Sequence, residues 1–135
     1  MAKPQSRVAQ AALNNAQWCA AMCRAHGGRH HIADGLWFSD QPMPAQYPNV
    51  VTFSNGAQSK SHLAILRKLA GAGLPAGWTV KDSFAALDLK AQGFAALFDA
   101  QWIWRAPELA LPDGAGLHWD RLRDEHELAA WQHAR

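Results

Sequence analysis

The stretch Asn49-Val50-Val51-Thr52-Phe53-Ser54, closed by Asn55-Gly56, leads into Ser59-Lys60-Ser61-His62-Leu63-Ala64-Ile65-Leu66-Arg67-Lys68-Leu69-Ala70. The reading of this junction decides the fold class. Its first part is rich in β-branched residues and predicts a strand, with Asn-Gly as the turn signal. In the second part Leu63, Ile65, Leu66 and Leu69 gather on one side of a helix that Ser59 or Ser61 can cap. Gly71 and Gly73 end that helix, and Pro75 prevents its resumption. Trp78-Thr79-Val80-Lys81-Asp82-Ser83-Phe84 then alternates as a strand, with Trp78, Val80 and Asp82 on one face.

Upstream, Asp34-Gly35 is a turn signal and Leu36 to Ser39 reads as a short strand. Pro42, Pro44 and Pro48 keep 41–48 a loop. From Gln5 to His26, Val8, Ala11, Ala12, Asn15, Trp18, Cys19 and Met22 recur at helical spacing, and Gly27-Gly28 supplies the left-handed cap. Downstream, 85–93 is ambiguous, with a helical turn possible near Lys90. Ala96 to Arg105 predicts a long strand with Phe98, Ala100, Trp102 and Trp104 on one face. Leu117 to Leu122 predicts a last strand, and Asp124 caps a last helix. This order predicts an α+β (mixed α/β) fold: a mostly antiparallel twisted sheet of about five strands flanked by helices, in a single domain over 1–135. The last helical pattern carries Leu128 and Trp131 up to Arg135, so the reading expects further sequence beyond it.

Half of the 135 residues are apolar (49%) and only 18% are charged, a composition that forms a core rather than a disordered chain. Seven tryptophans could furnish much of that core or a binding surface. The formal charge of +2 has no clustered basic stripe behind it, which argues against nucleic-acid binding. No apolar run is long enough to span a membrane, and the N-terminal residues lead into no signal-peptide core. Cys19 and Cys23, four apart on a helix, read as free thiols in a reducing compartment. The expected location is cytoplasmic.

Several groups carry candidate chemistry. Cys19, Cys23 and His26 share one helical stripe and offer zinc-type donors, or a thiol activated by an imidazole; the simpler reading is two thiols packed in the core. Asn15 falls on the apolar face of its helix, so its amide either bonds backbone or reads a ligand. A desolvated Asp82 would have a raised pKa and could act as a base; the competing reading is a strand-end carboxylate that accepts backbone N–H groups. Asp99 invites the same weighing. Trp37, Tyr47, Trp102 and Trp104 either fill the core or line a ligand pocket. Lys68-Leu69-Ala70-Gly71-Ala72-Gly73 has the look of a pyrophosphate loop, but it follows a helix instead of starting one, so it reads as a C-cap.

The blocks Asn14-Asn15-Ala16-Gln17-Trp18-Cys19, Cys23-Arg24-Ala25-His26-Gly27, Gly35-Leu36-Trp37-Phe38-Ser39, Tyr47-Pro48-Asn49, Val80-Lys81-Asp82-Ser83-Phe84-Ala85-Ala86-Leu87-Asp88-Leu89, Gly93-Phe94, Leu97-Phe98-Asp99-Ala100-Gln101-Trp102-Ile103, Leu117-His118-Trp119-Asp120-Arg121 and Glu127-Leu128-Ala129-Ala130-Trp131 run through nearly the whole chain. In these blocks it resembles the N-terminal half of bacterial GNAT-family N-acetyltransferase-like proteins. The resemblance implies a GNAT-like sheet and a role in acceptor recognition. The acetyl-CoA-binding segment is then expected in a second half, so no independent catalysis follows from this part. Were acetyl transfer to occur, an amine would attack the thioester directly, with Asp82 as the candidate base and Asn15, Trp37, Tyr47 and Trp102 as candidate ligand contacts. Two other readings are a small-ligand-binding or homodimeric module, associating through Trp119, Leu128 and Trp131, and a zinc protein using Cys19, Cys23 and His26.

Overall fold

The computed structural model describes residues 6–55, 58–106, 108–110, 116 and 120–134. Helix α1 spans Arg7–Ala25. Strands β1 (His31–Ala33), β2 (Leu36–Phe38) and β3 (Val50–Thr52) follow, then α2 (Ser59–Ala70), β4 (Val80–Lys81), a 3-10 turn at Lys90–Gln92 and α3 (Glu125–His133). The chain divides into two compact units, Met1–Trp104 and Arg105–Arg135.

In the first unit the strands form one sheet in the order β1-β2-β3-β4. The first three pair antiparallel, whereas β4 lies parallel to β3 after the crossover through α2. The architecture is therefore mixed α+β as expected, with four strands in place of about five. Asp34 and Gly35 both take positive φ (52° and 76°) in the two-residue loop that sets Ala33 opposite Leu36. That is the primed turn whose twist suits a hairpin.

Strand alternation sorts the core into two layers. Trp37 and Val51 face α1, where they meet Ala16, Cys19, Ala20 and Cys23. Leu36 and Val50 face α2 and meet Leu66 and Leu69. A sheet covered on both faces needs apolar residues in succession, which is why Leu36-Trp37 and Val50-Val51 do not alternate with polar ones.

Helix α1 buries Ala12, Ala16, Cys19, Ala20 and Cys23, a stripe of small side chains. The expected face is rotated: Val8 and Trp18 are exposed, at 39% and 56%. Small residues let the helix axis approach the sheet over the bulk of Trp37, and an indole at Trp18 would hold it off. Ser6 caps the start, accepting the Ala9 N–H at 3.2 Å. At the other end Gly27 donates to Arg24 O and Gly28 to Cys23 O, at 2.9 and 2.8 Å, with Gly27 at φ 73°. This is the left-handed stop predicted from Gly27-Gly28.

Other boundaries differ. Gln58, not Ser59 or Ser61, occupies the α2 N-cap position, and the Ser61 hydroxyl donates to Gln58 O. The predicted strand over 78–84 shortens to Val80–Lys81, because the Asp82 side chain takes over the following N–H groups in a loop. The predicted strand over 96–105 does not form: these residues have no regular structure, and Leu97, Phe98 and Ile103 are 75%, 79% and 93% exposed. Period-two alternation makes a strand only beside a ladder partner, and β4 is too short to offer one. Of the last predicted strand, Leu117, His118 and Trp119 lie outside the described residues, and 120–122 carry no regular structure.

In the second unit Asp124 caps α3 as predicted, accepting the Glu127 N–H at 2.8 Å. Glu127 reaches back to the Arg123 N–H. Helix α3 buries none of its residues, and Leu128 and Trp131 are 42% and 45% exposed.

Candidate functional site

Two of the residues singled out from sequence, Asn15 and Trp102, come together. With Ala11, Asn14, Trp18 and Ile103 they line a cleft of about 330 Å³ between α1 and the irregular 102–103 segment. That segment is held in place by polar anchors. The Trp102 indole donates to Ser83 O at 3.0 Å, and the Lys81 ammonium lies 4.5 Å from the centre of its ring. Next to it, the Arg7 guanidinium sits 5.2 Å from the ring of Trp104. Cation–ring contacts of this kind contribute about 0.5–1 kcal/mol at exposed sites, enough to bias a loop with few other bonds.

The Oδ1 of Asn15 is buried and has no hydrogen-bond partner among the described residues. An unsatisfied buried acceptor costs about 1–3 kcal/mol, and buried polar atoms are normally paired. Asn15 therefore does not take the backbone-bonding place that its position on an apolar helix face allowed. The residue lines the cleft with Trp18 and Trp102, while its Oδ1 stays buried.

The other candidates are dispersed. Trp37 is fully buried beneath α1, and Tyr47 packs half-buried against the same cluster. Asp82 lies in the loop after β4, where its carboxylate accepts the N–H groups of Leu87 (2.8 Å) and Phe84 (3.4 Å) and the Thr52 hydroxyl (3.3 Å). It has the structural place of a strand-end carboxylate and does not line the cleft. Asp99 is exposed.

Cys19 and Cys23 are free and buried, while His26 is exposed at the end of α1. The Cys23 thiol donates to Arg29 O at 3.4 Å. Burial pushes the Cys19 thiol above its ordinary pKa, against smaller lowering effects from Lys81 and a backbone hydrogen bond. A raised pKa suppresses the thiolate that nucleophilic attack or metal ligation requires. Among the described residues no group of three or more His, Cys, Asp and Glu side chains is placed to hold a metal ion. The Lys68–Gly73 stretch ends α2, with Gly71 as its C-cap, and so presents the carbonyl end of a helix rather than the N–H end an anion needs.

Sequence reasoning passed over the polar residues that shape the site's surroundings. His62, on α2, is buried and its Nε2–H donates to Asp34 O at 2.7 Å, bracing the hairpin turn. Asn49 donates to Gln41 O at 2.8 Å and ties down the proline loop. His62 in the otherwise apolar series Leu63, Leu66, Leu69 was the available signal: a histidine on an inward face must have a partner.

The fold and the cleft together define an α+β domain with an amide-and-indole pocket. No lining residue of that cleft is a carboxylate, an imidazole or a thiol. No family model matches the chain, and no match was found among curated proteins or solved structures. No helix among the described residues is long and apolar enough to cross a membrane.

Proposed function

We propose that this chain is a cytoplasmic, acetyltransferase-like (GNAT-related) domain that recognises a small acceptor in the Asn15–Trp102 cleft and does not transfer acetyl groups by itself. The observation that carries the reading is the cleft that Asn15 lines with two indoles, its buried Oδ1 having no hydrogen-bond partner among the described residues. An acceptor atom of this kind is completed by an N–H or O–H of a ligand, and the rings favour a ligand with an apolar or planar body. An amine to be acylated has such an N–H. The sequence blocks that resemble GNAT-like proteins support the same assignment, as does a mixed sheet with a helix on each face.

The absence of independent catalysis rests on three features. Asp82 is engaged by loop N–H groups, the Lys68–Gly73 stretch closes α2 at its carbonyl end, and the cleft lining holds no carboxylate, imidazole or thiol. Calorimetric titration with acetyl-CoA, paired with a screen of small primary amines, tests this. Saturable amine binding that Asn15→Leu abolishes, with no heat from acetyl-CoA at about 1 mM, is the expected result. One-site binding of acetyl-CoA would make the chain catalytic in its own right. Failure of every amine to bind would remove the recognition role.

A second reading has one observation in its favour. Leu128 and Trp131 are exposed on α3, which buries nothing, and a homodimer through that helix would cover them. Light scattering after size exclusion tests it: a strict monomer at about 0.1 mM would sink it.

A further inference from the structure

A second hollow, of about 190 Å³, lies on the same helix but away from the Asn15–Trp102 cleft. Its polar lining is Gln17 and Arg24 from α1, His30, and Trp37 from β2; Ile32 and Phe53 are among its apolar walls. Trp37 is completely buried, yet its Nε1–H has no hydrogen-bond partner among the described residues. His30 stacks against the Trp37 ring at 5.9 Å and 29°. Arg24 has no carboxylate partner among the described residues, where the salt bridge present joins His31 to Asp40.

The donor inventory gives the polarity of what belongs there. An indole nitrogen and a guanidinium can only donate, and an amide such as Gln17 can donate as well. With no acidic side chain among the lining residues, these donors call for an acceptor, and the permanent positive charge of Arg24 favours an anionic one. The apolar walls exclude a bare inorganic ion as the best fit. The volume is below the roughly 300–1,000 Å³ of sites for drug-sized ligands. We propose that this hollow binds a small monocarboxylate with a short apolar or aromatic body, its carboxylate received by Arg24 and Gln17 near the Trp37 indole. The site is independent of the acceptor cleft and of the acetyltransferase-like reading, so either can fail without the other.

The test follows the Trp37 indole N–H resonance of the full chain by proton–nitrogen correlation spectroscopy, at constant ionic strength, during titration with sodium benzoate. The expected result is a saturable shift of that resonance with a Kd below about 10 mM. Arg24 is exposed, so Arg24→Gln leaves the fold intact, which its melting temperature checks, and it should weaken binding at least about tenfold. Inorganic phosphate and benzylamine should leave the Trp37 resonance in place. No saturable shift with benzoate, an equal response to phosphate or benzylamine, or undiminished binding in Arg24→Gln would each overturn the proposal.

Discussion

The Thr52 hydroxyl donates to Asp82 Oδ1 at 3.3 Å while its oxygen accepts the Ser83 N–H at 2.7 Å, so one side chain on β3 ties down the exit of β4. Thr52 is buried, and β3–β4 is a parallel pair only two residues deep. This bond pair continues the sheet's connectivity where the ladder itself stops. It also places Ser83, whose carbonyl holds the indole of Trp102. Thr52→Val should thus cost about 1–3 kcal/mol, because it leaves the buried Ser83 N–H without an acceptor. Urea unfolding monitored by circular dichroism checks the value, and a loss under about 0.5 kcal/mol would show that the loop finds another partner.

Asp82→Ala should destabilise the 82–89 loop and leave ligand binding in the Asn15 cleft within about twofold. The carboxylate bonds Leu87 and Phe84 N–H groups and lies outside the cleft lining. Thermal melts and an amine titration on the same sample separate the two effects. A large drop in binding without loss of stability would return Asp82 to the site.

Gly35 tolerates no side chain. Its φ is +76°, and a Cβ there would fall 2.1 Å from Ser54 Oγ and 2.3 Å from Ser54 Cβ. Gly35→Ala should destabilise the chain by at least about 2 kcal/mol from the left-handed backbone and the overlap together. Ser54→Gly in the same chain should recover part of that loss, since it removes the overlap but not the backbone cost. Chemical denaturation of both variants reads the difference.

Cys19 is held above the ordinary thiol pKa by burial. As pH rises, the unfolded chain therefore loses this proton first. Its contribution to stability is present below about pH 8.5 and is lost as pH climbs towards the raised native value. Cys19 and Cys23 should also react with a thiol-specific reagent at least about tenfold more slowly in the native chain than in urea. Equal rates would mean that α1 lifts from the sheet readily.

Partial burial, and then the charges of Arg24 and His31, hold His30 below the ordinary imidazole pKa. The unfolded chain binds the extra proton first as pH falls. This contribution is present above about pH 6.5 and is lost between there and the lowered native value. A histidine titration by magnetic resonance should give His30 a midpoint under about 6.5, and Arg24→Gln should raise it. A midpoint that does not move would mean the guanidinium is farther from the ring than the hollow places it.

Local rules were enough for the elements that satisfy themselves. Helix α1 and its Gly27-Gly28 stop, the Asp34-Gly35 hairpin turn, the α2 helix and the Asp124 cap of α3 each depend on neighbours within about six residues. Composition, spacing and turn chemistry therefore determined the mixed α+β class and most of the element order. They also marked Asn15 as an amide on an apolar face and Cys19 and Cys23 as packed thiols. Only the tertiary structure decided which stripe of α1 is buried, because that depends on the bulk of Trp37 beneath it. Only the tertiary structure brought Asn15 to Trp102, nearly ninety positions away, and left Asp82 out of the cleft lining. The alternation over 96–105 looked like a strand and is none, since a strand's hydrogen bonds belong to a partner that its own residues cannot encode. Periodicity belongs to a segment, whereas pairing, burial and a binding cleft belong to the contacts between segments.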